Sequence, residues 1–253
     1  MKRPLLFGLL RYLVAIFLLL ILWQLASFVC TEEIIPTPEN TLKQFAALQS
    51  DPMFSSHLWI STLRLSSGLL LGTVIAYPLG LLLGLSKNAD ALGAPLLFIT
   101  YPFPKIVLLP VFFLLLGLGD SSRIALIALS SGYQILLLMR SKTKTLDPIY
   151  LKVMRSMGAG RFDMWRYVLW PATLPDLLTA VRIASGTAVA VLFLAESFAT
   201  DCGLGFLIMD AWGMGDNETM FCAILGISLL GLGFYTILWF AEKILCPWFL
   251  TKT

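Results

Sequence analysis

The chain has a single histidine, His57, and four cysteines that form no CxxC pair. That scarcity excludes a zinc or iron–sulfur centre of recognisable spacing, so no metal is expected. No G-x-x-x-x-G-K-[ST] phosphate loop is present, and the chain therefore carries no nucleotide-hydrolysing site of that kind. Paired acids at catalytic spacing on one helix are missing too, which removes the usual basis for an enzyme. Charge is scarce: 13% of residues are charged against 58% hydrophobic, and mean hydropathy is +0.85. A soluble domain of 253 residues would need more polar residues to cover its surface.

Long apolar runs are what the chain has instead. Six spans are expected at about 9–30, 58–86, 93–117, 121–140, 174–198 and 219–243, making one all-α membrane domain over residues 1–253. The first is expected to be retained: its apolar stretch from Tyr12 to Val29 is long for a signal peptide, and no A-x-A site follows. Basic residues set the orientation. Lys2, Arg3, Arg11, Lys87, Lys243, Lys252 and the seven basic residues from Arg140 to Arg166 fall on one side. Glu32, Glu33, Glu39, Asp51, Asp201, Asp210, Asp216 and Glu218 fall on the other. The positive-inside rule then puts both termini in the cytoplasm. Cys30 and Cys202 would share the outer face, where they either pair or remain free thiols.

Within the second span Gly68, Gly72, Ala76, Gly80 and Gly84 recur every four residues. Small residues at that spacing let another helix approach closely, either inside the bundle or at a dimer seam. Four prolines, Pro95, Pro102, Pro104 and Pro110, require the third span to kink or break. Lys105 lies among them, placed to attract an anionic solute, to snorkel, or to bond a freed carbonyl. Arg64 and Glu196 sit at similar depth near the outer face and are candidates to pair. His57 carries no evident signal.

The one long basic interruption is 141–173. Asp147 and Pro148 have the chemistry of an N-cap and first helical residue. Tyr150, Val153, Met154 and Met157 then form an apolar stripe, with Lys152 and Arg155 elsewhere on the surface. Gly158 suits a left-handed helix end. Thr173-Leu174-Pro175-Asp176 has the form of a capping box starting the fifth span. Such a short amphipathic helix either lies in the headgroup plane or docks a cytoplasmic partner.

Gly158, nine residues, then Val168-Leu169-Trp170-Pro171 resembles the core of the EAA loop of ABC importer permeases. "STLRLSSGLLLGTVIAYPLGLLLGLS", "YPFPKIVLLPVFFLLLGLGDSSRIALI", "LTAVRIASG", "AES" and "GLGFLIMDA" extend the resemblance over nearly the whole chain, to the nitrate/sulfonate/taurine-type subfamily. Lys152, Val153 and Met154 stand where the glutamate and two alanines that name the loop would be, and Trp170 replaces a leucine.

The resemblance implies a type I permease fold with six transmembrane helices in the bacterial inner membrane. It implies a non-catalytic subunit, with ATP and Mg held by a cytoplasmic ATPase dimer. An extracytoplasmic substrate-binding protein would deliver a small anion (sulfonate, taurine, nitrate or bicarbonate-like), and a second permease copy would complete the pathway. A vitamin or pyrimidine precursor is the alternative cargo; an ion-coupled secondary transporter is a more distant reading, and no nucleic acid is involved. Tyr150, Lys152, Val153, Met154, Arg155, Met157, Gly158, Ala159, Arg161 and Pro171 would couple to the ATPase through a helix at 149–160. Arg64, Lys105, Glu196, Gly203 and Gly205 would belong to the pathway or its outer gate.

Overall fold

A backbone buried in hydrocarbon must satisfy its own hydrogen bonds, and the chain does so in helices, with no strand among the described residues. The computed structural model describes residues 3–250, and side chains over 10–248. Lys2 and Lys252, two charges in the orientation argument, lie outside the described residues, as does the side chain of Arg3.

The elements run in the order α1 (Arg3–Cys30), α2 (Pro38–Leu48), α3 (Pro52–Leu85) and α4 (Lys87–Thr100). A short 3-10 turn, Lys105–Leu108, then leads to α5 (Leu109–Leu116) and α6 (Asp120–Lys144). Next come α7 (Pro148–Ser156) and α8 (Arg161–Met164), followed by a π turn at Trp165–Leu169 and α9 (Trp170–Glu196). The chain closes with α10 (Leu204–Met214), α11 (Asn217–Leu245) and α12 (Pro247–Leu250). Among the described residues five helical segments are long and apolar enough to cross a membrane, and a sixth span arises if α4 and the Lys105–Leu116 segment count together. Those two halves meet at 87°, at the prolines of the third span.

Two boundaries differ from the sequence reading, for physical reasons. The fifth span does not start at a Thr173 cap, because helix is continuous from Arg161 to Glu196. Thr173 Oγ1 instead donates to Leu169 O at 2.7 Å, as a hydroxyl in mid-helix does. Pro171 has no N–H for the Tyr167 carbonyl one turn back, and its ring would crowd that oxygen. The helix widens there, and Trp170 N bonds Trp165 O, five residues back. The connections 31–57 and 199–218 also contain helices, α2 and α10.

The small residues of α3 pack inside the bundle, against α6. A β-carbon on Gly72 would lie 2.7 Å from the Ala128 carbonyl oxygen, and one on Gly80 would lie 2.6 Å from Met139 Cβ. One cluster of buried apolar residues, including Leu65, Leu69, Ile127, Leu192 and Leu204, fills the half of the bundle near Glu196. A second, including Tyr77, Leu81, Ile135, Met139 and Val181, fills the half near α7. These cores hold α3, α6 and α9 in fixed register, and that register positions the polar groups at both ends.

Candidate functional site

The first polar assembly grows from one face of α3. His57, Ser61 and Arg64 stand at i, i+4 and i+7, so they line up along the helix. All three are buried, at 3%, 0% and 2% exposure. Opposite them Glu196, fully buried, is the last residue of α9. A carboxylate there faces the negative end of its own helix dipole and needs donors from elsewhere. Arg64 Nη1 supplies one at 2.8 Å, and the Ser61 hydroxyl lies 2.8 and 2.9 Å from the two carboxylate oxygens. Gly205 N donates the third, at 3.0 Å.

That third donor shows how α10 begins. A helix start leaves N–H groups without intrahelical partners. Here Gly203 N donates to His57 Nδ1 at 3.0 Å, Leu204 N to Ser61 Oγ at 2.8 Å, and Gly205 N to Glu196. Side chains from α3 and α9 thus cap α10 in place of a local cap. Gly203 has φ +113°, and a β-carbon there would fall on the Glu196 carboxyl group. A β-carbon on Gly205 would meet Glu196 Cβ and the Phe193 carbonyl oxygen, both at 2.7 Å. Glycine at 203 serves both a turn and a close approach; at 205 only the approach matters.

Arg64 reaches further, to Cys202 O at 2.9 Å and to Asp120 at the start of α6 at 2.7 Å. Arg123, 1% exposed, places its guanidinium on the carbonyls of Leu118, Gly119, Ala195, Phe198 and Ala199. It closes the end of α9 just where Ala199 turns left-handed at φ +50°. Sequence reasoning missed His57, Ser61, Asp120 and Arg123. The i, i+4, i+7 alignment of polar residues on an apolar span was the available signal for the first two. All four cysteines are free thiols. No cluster of three or more His, Cys, Asp or Glu that could hold a metal occurs among the described residues.

Lys105 makes no hydrogen bond or ion pair with this knot among the described residues. It follows the break in the third span, and its Nζ donates to the carbonyls of Thr100 and Tyr101 at 2.9 and 3.0 Å. Both carbonyls lie at the end of α4, where that of Thr100 also accepts from Phe103 N at 3.3 Å, so one part of the ammonium's work is structural. It also lies 4.0 Å from the centroid of the Tyr133 ring, within cation–π range.

At the opposite ends of α3 and α9 stands α7. Asp147 Oδ1 accepts from Ile149 N at 2.9 Å and Pro148 takes the first turn. The helix stops at Ser156, and Gly158 follows at φ +77°. Ala159 N then returns to Met154 O at 3.1 Å, with Met154 and Ala159 half-buried. Tyr150, Val153 and Met157 are exposed at 58%, 53% and 75%, so the apolar stripe is uncovered. Lys152, Arg155 and Arg161 are exposed as well, and none makes an ion pair among the described residues. By contrast Arg140 and Lys144 hold Asp90, and Lys142 holds Asp176 at 3.0 Å.

An aromatic chain joins this end to the bundle. Phe162, Trp165, Trp170 and Tyr77 follow one another at centroid separations of 5.9, 5.6 and 5.7 Å. Tyr77 on α3 also bonds the Thr173 hydroxyl at 3.0 Å. Pro171, half-buried, sits in this junction.

Residues 68–247 match the family described as binding-protein-dependent transport system inner membrane component. The chain is 25% identical to the taurine transport system permease protein TauC of Escherichia coli (strain K12), over 91% of this chain and 86% of that protein. It is 28% identical to the formylaminopyrimidine transport permease protein ThiX of Halalkalibacterium halodurans, over 91% and 92%. In fold it is similar to a chain of the MetNI methionine ABC transporter solved in inward-facing conformations. The TM-score is 0.63 at 19% identity, covering 78% of this chain and 98% of that one.

Proposed function

The chain belongs to the family of binding-protein-dependent transport system inner membrane components, and we propose that α7 is the contact through which an ATPase drives it. It is a multi-pass inner-membrane protein, the permease subunit of an ABC importer. The α7 end faces the cytoplasm and the Glu196 end faces outward, an assignment that follows the positive-inside rule. Two copies enclose the pathway, and a substrate-binding protein docks over α10.

The observation that carries this reading is the uncovered stripe of Tyr150, Val153 and Met157, a few residues before the aromatic junction of Phe162, Trp165, Trp170 and Tyr77. An apolar face on a short helix held away from the core needs a partner to cover it. Covered by an ATPase groove, α7 passes its displacement through the aromatic chain to α3 and through continuous helix to α9. Those two helices carry the Glu196 knot at their far ends. Tilting them moves α10, capped as it is by α3 and α9, and so opens or closes the outer gate. Lys152, Arg155 and Arg161 meet solvent or acidic groups on the ATPase. ATP and Mg are bound by that partner.

The cargo is a small, anionic solute of the sulfonate or taurine kind, supported by the likeness to TauC. A pyrimidine precursor is the second reading, supported by the likeness to ThiX. Site-specific crosslinking tests the coupling role. Tyr150→Cys in the intact complex is expected to form an adduct with the ATPase, whereas Trp59→Cys on the far part of α3 is not. An adduct absent at Tyr150 but present elsewhere on the chain moves the contact off α7.

A further inference from the structure

An open cleft of about 510 Å³ lies beside the break in the third span, bordered by Lys105, Ser130, Tyr133, Gln134 and Thr187. Ser130, Tyr133 and Gln134 share one face of α6 by their i, i+3, i+4 spacing. Lys105 enters from the break and Thr187 from α9, so three separate elements converge there.

The hydrogen bonding of this cleft is incomplete. In the spans, hydroxyls commonly turn back on the carbonyl four residues earlier: Thr62, Ser66, Thr73, Ser131 and Thr173 all do. Ser130 does not, although it is only 6% exposed, and its Oγ has no partner. Gln134 Nε2 donates to Thr187 Oγ1 at 2.9 Å, which leaves Gln134 Oε1 buried and unpaired. An orphaned polar group in such a setting costs about 1–3 kcal/mol, so a bundle built for stability alone would not gather two at one cleft. Lys105 Nζ gives two of its three protons to Thr100 and Tyr101, and the third has no hydrogen-bond acceptor among the described residues, the ammonium lying over the Tyr133 ring.

We propose that this cleft is a transit site, holding a small solute by an anionic oxygen on Lys105 and Ser130 and by an N–H group on Gln134. The inference rests on the pathway reading above and adds a chemical requirement to it. A donor pair beside an unpaired amide oxygen complements a molecule carrying both an anionic oxygen and an N–H donor. A bare anion satisfies the first half and leaves Gln134 unpaired, which lowers its affinity. The Tyr133 ring, already under the Lys105 ammonium, forms an apolar wall for the solute's carbon skeleton.

The test titrates the full-length permease in lipid nanodiscs with two probes of similar size, following the thermal unfolding midpoint. 2-Aminoethanesulfonate offers the sulfonate and the N–H; 1-propanesulfonate offers the sulfonate alone. The first is expected to raise the midpoint at millimolar concentration and the second to raise it by less than about a third as much. Gln134→Leu should erase the difference between the probes, and Ser130→Ala should weaken both. Equal shifts from the two probes in the wild type overturn the proposal, as does no shift from either. Failure of the permease reading itself appears separately, as failure of the same nanodiscs to capture an ATPase, and the titration still decides the present point.

Discussion

The two ends of the molecule handle charge in opposite ways. Around Glu196 three charged side chains, Arg64, Arg123 and Glu196 itself, are buried and held: Arg64 has Glu196, the exposed Asp120 and a carbonyl, and Arg123 has five carbonyls. Around α7 the charges of Lys152, Arg155 and Arg161 are exposed and unpaired, next to an uncovered apolar stripe. The first end supplies most of its own partners, although His57 Nε2 is buried without one. The second is a surface that lacks its other half. Matched burial marks residues that hold helices together, and mismatched exposure marks residues that meet something else. The two ends share α3 and α9, so a push at the second end is felt at the first.

Substitutions break this contrast in graded fashion. Glu196→Ala should have the largest effect on stability, about 3–5 kcal/mol, because it removes the one buried carboxylate on Arg64, leaving the exposed Asp120 and a carbonyl, and takes away one of the three caps of α10. Chemical denaturation in mild detergent reads this, and Val153→Glu serves as the reference. Gly205→Ala comes next, at about 1–3 kcal/mol, since its methyl group meets the Phe193 carbonyl and Glu196 Cβ. Gly72→Ala, pressed against the Ala128 carbonyl, should fall in the same range by the same assay. At the other end Val153→Glu should shift stability by less than about 0.5 kcal/mol while releasing the ATPase during co-purification. Lys152→Glu is the mildest, with about 0.2–1 kcal/mol in ATPase affinity, diminishing as salt is raised.

Much of the architecture was legible because it is written periodically. Apolar runs announced the spans, four-residue spacing of small residues announced a close helix approach on α3 without saying whether α6 or a second copy makes it, and the proline group announced the broken third span. Asp147, Pro148 and Gly158 marked α7 locally, and its exposed stripe follows from the same spacing. The Glu196 knot was only half legible. Arg64 and Glu196 could be matched by depth, but His57 read as a lone residue and its partner, the Gly203 amide, lies 146 positions away. Backbone donors and carbonyls leave no mark in a residue string, so the five carbonyls around Arg123 could not be foreseen. The π turn escaped because Pro171 and Pro175 suggested a helix start, whereas continuous packing against α3 carries the helix past them.

Transport by the assembled complex tests the division between the two ends most directly. ATP-driven uptake into proteoliposomes is compared for the wild type and Val153→Glu, with equal amounts of folded permease verified by their unfolding midpoints. The account predicts an unchanged midpoint, a lost ATPase and uptake reduced to the level seen without ATP. Uptake at the wild-type rate by a permease carrying glutamate at 153 would contradict it.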